Sequence, residues 1–193
     1  MKVLAIHGSL RRDSFTGRLA RAAGAVAGDG IEIENYENLG EIPGFNEDLE
    51  TEGLPPAVED LRARLAGSDA LLIVTPEYNA SAPGALKNAI DWASRPHGNS
   101  ALAGLPTAIV SASPMPFGAI WANEQIRKAF TITGTPTVER ELAIGKIDGK
   151  LGEGDTISDP EVEEQLGMLL TELGDLAETV REAEAGALDP TAA

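Results

Sequence analysis

ALLIVTPEYNASAPGALKNAIDW, residues 70–92, contains the transition that decides the fold. Ala70 to Val74 is an unbroken apolar run, the pattern of a strand covered on both faces. A polar loop stiffened by Pro76 and Pro83 follows, and a helix through Leu86, Ile90 and Trp92 comes next. A doubly covered strand feeding a helix is half of a βαβ unit, which points to a parallel sheet with right-handed crossovers.

The same unit recurs on either side. Val3 to Ile6 reads as a strand, Gly8-Ser9 as a turn, and Phe15, Leu19, Ala22, Ala23 and Val26 as the apolar stripe of a helix N-capped by Ser14. Gly28 and Gly30 end that helix before an alternating strand at Ile31-Glu32-Ile33. Residues 36 to 56 look irregular, and Val58, Leu61 and Leu65 form the next helix, closing near Gly67. Thr107 to Val110 is a fourth strand and Ile120 to Phe130 a fourth helix. Val138 with Leu142 to Ile144 forms a last strand, split by a bend. An acidic amphipathic helix runs beyond Asp155 through Val162, Leu166, Leu169, Leu173, Leu176 and Val180. Five strands fit a doubly wound sheet of order 2-1-3-4-5 in one domain, residues 1–184, with a frayed tail over 185–193.

Composition narrows the chemistry. The 193 residues include no cysteine, which excludes disulfides, thiolate catalysis and cysteine-held metal. No His and carboxylate spacing suggests another metal site. Fifteen Lys+Arg against 31 Asp+Glu give a formal charge of −16. That field repels nucleic acid and anionic membrane. The N-terminus lacks the long apolar stretch and cleavage site of a signal peptide, and no segment approaches a membrane span, so a cytoplasmic protein is expected.

In a sheet of this order the ligand crevice lies at the carboxyl ends, where the loops starting at Gly8, Thr75 and Ser111 converge. In the first loop a helix N-terminus offers free N–H groups, Ser9 and Ser14 add hydroxyls, and Arg11 adds a planar cation. These suit a phosphate, although an ordinary capped polar loop with solvated arginines would read the same. Neither a Gly-Lys-Ser/Thr phosphate loop nor a Gly-x-Gly-x-x-Gly turn is present. The second loop, Thr75 to Gly84, combines small residues with Tyr78 and could line a flat ring. Glu77 fits such a ring poorly, and its side chain is expected to point away, into a subunit contact. His7 reads as a structural imidazole at a strand end, and His97 as a surface residue. Ser113 lacks the Gly-x-Ser-x-Gly setting of a serine hydrolase.

Gly8-Ser9-Leu10-Arg11 with Ser14, then Pro76-Glu77-Tyr78-Asn79 and Leu86-Lys87-Asn88-Ala89-Ile90-Asp91-Trp92, resemble the NADPH-dependent FMN reductase family over about residues 1 to 145. The family includes quinone, azo-dye and chromate reductases. The resemblance implies a flavodoxin-like three-layer sandwich with noncovalent flavin mononucleotide (FMN). It assigns the phosphate to Ser9, Arg11 and Ser14, and the isoalloxazine ring to Pro76, Glu77, Tyr78 and Asn79. Thr16 stands where the family often has Asn and keeps a hydroxyl for the phosphate. Ser111 and Ser113 begin a third loop in which Met115 and Ala119 replace common glycines. The resemblance further implies a homodimer or homotetramer, with the helix after Pro-Glu-Tyr-Asn at the interface.

The activity so implied is transfer of hydride from NADPH or NADH through flavin N5 to a small acceptor, by a ping-pong route. Quinone, free flavin, azo compound and metal oxyanion all suit an open flavin face. Arg11, Arg12 and Arg95 are candidates for the NADPH phosphate. Two rival readings are an FMN electron carrier without NAD(P)H activity and a flavin-free interaction protein on the same fold.

Overall fold

The apolar runs of the sequence become five strands of one parallel sheet in a computed structural model that describes residues 1–187. The strands are β1 (Lys2–His7), β2 (Glu32–Asn35), β3 (Ala70–Thr75), β4 (Thr107–Ser113) and β5 (Leu142–Gly145). Their order is β2-β1-β3-β4-β5. Register is continuous across the sheet: Ala5 lies beside Asn35 and Leu72, Leu72 beside Ala108, and Val110 beside Leu142. Sequence order reverses between β1 and β3, and that is the switch point of the fold.

Among the described residues six helices complete the layers: α1 (Phe15–Val26), α2 (Asp48–Glu52), α3 (Pro56–Ala66), α4 (Gly84–Ala93), α5 (Ile120–Thr133) and α6 (Pro160–Ala187). The two-residue period of each strand sends alternate side chains to opposite faces. Leu4, Ile6, Leu71, Ile73 and Ile109 pack with Leu61, Leu86, Trp92, Ile126 and Phe130 from α3, α4 and α5. Val3, Ala5, Leu72, Val74 and Val110 pack with Leu19 of α1 and with Leu166, Leu169 and Leu173 of α6. Full burial of each large aliphatic side chain contributes about 1.5–3 kcal/mol. The two cores therefore fix where the carboxyl ends of β1, β3 and β4 stand.

Two local expectations change and a third holds. Residues 36 to 56 hold a 3-10 turn at Leu39–Glu41 and the short helix α2. Asn46 starts α2 by accepting the Asp48 N–H at 3.1 Å, and Asp48 and Glu50 suit its positive N-terminus. The segment is tied to α4, where the Trp92 indole N–H and the Asn88 amide donate to the Pro43 carbonyl at 2.8 and 2.9 Å. Helix α6 continues through Ala187, past the expected start of a tail at Ala185, and the remainder of that tail, 188–193, lies outside the described residues. The split last strand is seen: Thr137 bridges Thr107, the chain bends, and β5 begins at Leu142. Arg127 of α5 holds the bend by donating to the Val138 and Arg140 carbonyls at 2.8 and 2.7 Å.

Candidate active site

Loops 1 (Gly8 to Ser14), 2 (Pro76 to Pro83) and 3 (Pro114 to Ala119) leave the carboxyl ends of β1, β3 and β4 and meet at the switch point. Gly8 is what lets the first two approach. A Cβ there would stand 3.0 Å from Leu86 Cδ2 and 3.1 Å from Pro76 Cδ. Across this contact the Tyr78 hydroxyl donates to Ser9 Oγ at 3.3 Å.

In loop 1, Ser14 is the N-cap of α1, and its Oγ accepts the Gly17 N–H at 2.9 Å. Ser9 is buried, and its Oγ accepts the Arg11 N–H at 3.3 Å. Thr16 is 2% exposed, and its hydroxyl has no hydrogen-bond partner among the described residues. A buried hydroxyl without a partner is costly, and here it stands in the first turn of a helix whose N–H groups attract anions. Arg11 and Arg12 are exposed beside it.

His7 ends β1 just below this loop. Its ring is buried, and neither nitrogen has a hydrogen-bond partner among the described residues, although Nε2 lies 3.9 Å from Glu37 Oε2. Burial lowers its pKa from the usual 6.5; the negative charge of Glu37 opposes the shift, and Arg21 adds to it. The imidazole is thus neutral at pH 7, in keeping with a structural role.

Loop 2 is built around a tight turn. Tyr78 and Ser81 exchange backbone hydrogen bonds at 3.0 and 3.2 Å, while Asn79 and Ala80 take φ of 54° and 56°. That is the type I′ geometry, which asparagine tolerates and alanine resists. Tyr78 and Asn79 are exposed at the turn, and Pro76 is half-buried.

Glu77 turns its side chain to a helix of its own chain. Its Oε2 accepts the Ala122 N–H at 3.1 Å. The N-cap of α5 is Ala119, left-handed at φ 64° and without a capping side chain, so a carboxylate from loop 2 caps the helix that loop 3 begins. The absence of Ser, Thr, Asp or Asn just before Ile120 is the signal that could have revealed it. A second tie runs back. Gln125 Oε1 accepts the Ser81 hydroxyl and the Ala82 N–H, both at 2.7 Å.

Loop 3 is pressed onto β5, where a Cβ on Gly118 would fall 2.5 Å from the Ala143 carbonyl carbon. Ser113 Oγ accepts the Met115 N–H at 3.1 Å. Ser111 is fully buried within β4, its Oγ 3.4 Å from the Asn123 amide nitrogen that donates to it. Sequence position groups Ser111 with the other site hydroxyls, whereas the fold sets it in the sheet interior. Met115, Phe117 and Trp121 are exposed, with the Phe117 and Trp121 rings 5.5 Å apart. Arg95 is not free for a phosphate: its guanidinium bonds Glu50 and Glu47, each at 2.8 Å.

A separate groove of 990 Å³ opens at the amino ends of the strands, between Met1, Asp69, Pro106 and α6. The switch-point crevice is the better ligand candidate, because partnerless polar groups and helix N-termini converge there.

The sequence profile of the NADPH-dependent FMN reductase family matches residues 1–149. The chain belongs to that family. It is accordingly an oxidoreductase that works with FMN and NAD(P)H. A quinone reductase of Pseudomonas putida KT2440 is 42% identical over 137 residues, 71% of this chain and 73% of that one. A quinone reductase of Escherichia coli K12 is 32% identical over 94% of this chain and 97% of its own. Among solved structures, the flavoenzyme NAD(P)H:(acceptor) oxidoreductase of Paracoccus denitrificans superposes with a TM-score of 0.84 at 32% identity, covering 92% and 97% of the two chains. No helix among the described residues is long and apolar enough to cross a membrane.

Proposed function

We propose that this reductase binds FMN with its phosphate on loop 1 and its ring along loop 2, and passes reducing equivalents from NAD(P)H to a quinone-type acceptor. One observation carries the reading: the buried, partnerless hydroxyl of Thr16 in the first turn of α1. Together with the Ser9 and Ser14 hydroxyls, the N–H groups of that turn and the Arg11 cation, it forms a donor set that fits a phosphate dianion. Pro76, Tyr78 and Asn79 supply the flat, small-featured wall that a ring requires, and Glu77 shapes it from behind. Ser113, half-buried at the start of loop 3, stands where the opposite edge would be read.

When bound, FMN supplies hydride chemistry at its N5. The residues around it bind, orient and leave one side open to both NAD(P)H and the acceptor, and a shared open side implies ping-pong turnover. Met115, Phe117 and Trp121 offer a neutral planar acceptor apolar contact beside that opening. The formal charge of −16 works against an anionic acceptor such as a metal oxyanion. The quinone reductases among the relatives support the same choice.

The test is anaerobic addition of NADPH to the FMN-loaded chain, followed by a water-soluble benzoquinone. Loss and then recovery of absorbance near ~450 nm is the expected result for a cofactor that carries the chemistry. Flavin that neither NADPH nor NADH bleaches would leave an electron carrier, and a chain that binds no FMN would sink the reading.

A further inference from the structure

We infer that Gln125 is a positioning residue for the flavin ring loop, acting from a helix that lies outside that loop. The inference rests on the reading that loop 2 lines FMN. Loop 2 is bounded by Pro76 and Pro83, and α4, which follows it, has Pro83 as its N-cap with no capping side chain. The loop therefore takes little support from its own sequence. Its internal tie is the Tyr78–Ser81 turn, which fixes the shape of the turn and leaves its placement over the crevice open.

Besides the Tyr78 hydroxyl's 3.3 Å bond to Ser9 Oγ, placement comes from α5. Gln125 Oε1 receives two donors from consecutive residues of loop 2, the Ser81 hydroxyl and the Ala82 N–H. Two donors converging on one oxygen fix a position in a way that a single bond does not. Glu77, at the other end of the loop, reaches the first turn of the same helix at Ala122. Ala122 and Gln125 are three apart and share one helix face. Loop 2 is thereby clamped at both ends to one face of α5, so the ring wall and loop 3 move as a unit. Glu77 also caps a helix, whereas Gln125 is an exposed residue whose amide has no other bond among the described residues. Exposed side chains of this kind are otherwise freely replaceable.

The experiment compares wild type, Gln125→Ala and Gln125→Glu. The glutamate keeps an acceptor oxygen at the same reach. Amide hydrogen exchange of the FMN-free chain is followed at Ala82, and FMN affinity is measured by quenching of flavin fluorescence. In Gln125→Ala the Ala82 amide exchanges faster and the FMN dissociation constant rises about tenfold, as the loss of two neutral hydrogen bonds implies, while the melting temperature falls by only roughly 2–5 °C. In Gln125→Glu both values return close to wild type. Wild-type exchange and affinity in Gln125→Ala would overturn the inference. So would faster exchange without weaker FMN binding, or a glutamate variant as weak as the alanine. A wild-type chain that binds no FMN overturns this inference and the functional reading together, whereas the outcomes above, read on a wild type that does bind FMN, fall on Gln125 alone.

Discussion

The Glu77 carboxylate accepts the backbone N–H of Ala122 at 3.1 Å and so caps a helix 45 residues further along the chain. Helix α5 opens on Ala119, which has no side-chain acceptor, and Ala122 in its first turn is fully buried, where water satisfies N–H groups poorly. Glu77→Ala should therefore lower stability by about 1 kcal/mol, the usual worth of a cap, or roughly 2–4 °C in melting temperature for a chain of this size. Glu77→Gln keeps an acceptor and recovers most of the loss. Thermal melts of the three FMN-free proteins decide it; an alanine variant that melts like wild type would show that the cap contributes nothing.

Two alanines hold left-handed backbone where glycine is easier, Ala80 at φ 56° and Ala119 at φ 64°. Left-handed alanine costs about 1–2 kcal/mol, and glycine in its place gives back part of that gain as unfolded-state entropy. Ala80→Gly creates the Asn-Gly pair that type I′ turns favour, so a net stabilisation of roughly 0.5 kcal/mol is expected there. Urea denaturation at constant slope reads the difference. Destabilisation by Ala80→Gly would mean that the turn is strained for some reason other than its φ.

The fold was legible because apolar runs such as Ala70 to Val74 have few uses outside a doubly covered strand. Ser14 was legible as a cap because capping is local. What stayed hidden was set by distance along the chain. Nothing near Glu77 names Ala122, and nothing near Gln125 names Ser81. Arg95 looked like a phosphate ligand because the carboxylates that engage it, Glu47 and Glu50, sit in a stretch that seemed irregular and contains α2. Ser111 groups with the site hydroxyls by position because nothing in the sequence marks that β4 runs on to Ser113 and keeps Ser111 inside the sheet.

Arg95 and Arg11 should now behave oppositely. Arg95 pairs with Glu50, whose side chain is 13% exposed and also meets Arg62 at 2.7 Å. Hydrogen bonds from Arg62 and Arg95 hold the Glu50 carboxyl below its usual range. A depressed carboxyl stabilises the fold above the unfolded pKa, and that contribution fades as pH falls through the folded one. Arg95→Ala should lower the melting temperature at pH 7 and do so less in acid, with no change in KM for NADPH. Arg11→Ala should leave stability within about 0.5 kcal/mol while weakening FMN or NADPH binding. A rise in KM for NADPH in Arg95→Ala alone would reverse the assignment.

His7 gives the protein a pH dependence with a definite sign. Burial lowers its folded pKa below 6.5, against the pull of Glu37 and in the same direction as Arg21. Above the unfolded value both states hold a neutral ring, and the contribution to stability is complete. Below it the unfolded chain takes a proton that the folded chain refuses, so stability falls by at most about 1.4 kcal/mol per pH unit until the folded pKa is passed. His7→Gln removes this component, and the difference between the two proteins' denaturation free energies from pH 7.5 to 5 isolates it from the carboxylates. If FMN phosphate binds on loop 1, just above the ring, its negative charge favours the imidazolium and raises the His7 pKa. An NMR titration of His7 with and without FMN should therefore show an upward shift on binding. An unchanged titration would place the phosphate away from loop 1 and undercut the assignment of Ser9, Ser14 and Thr16.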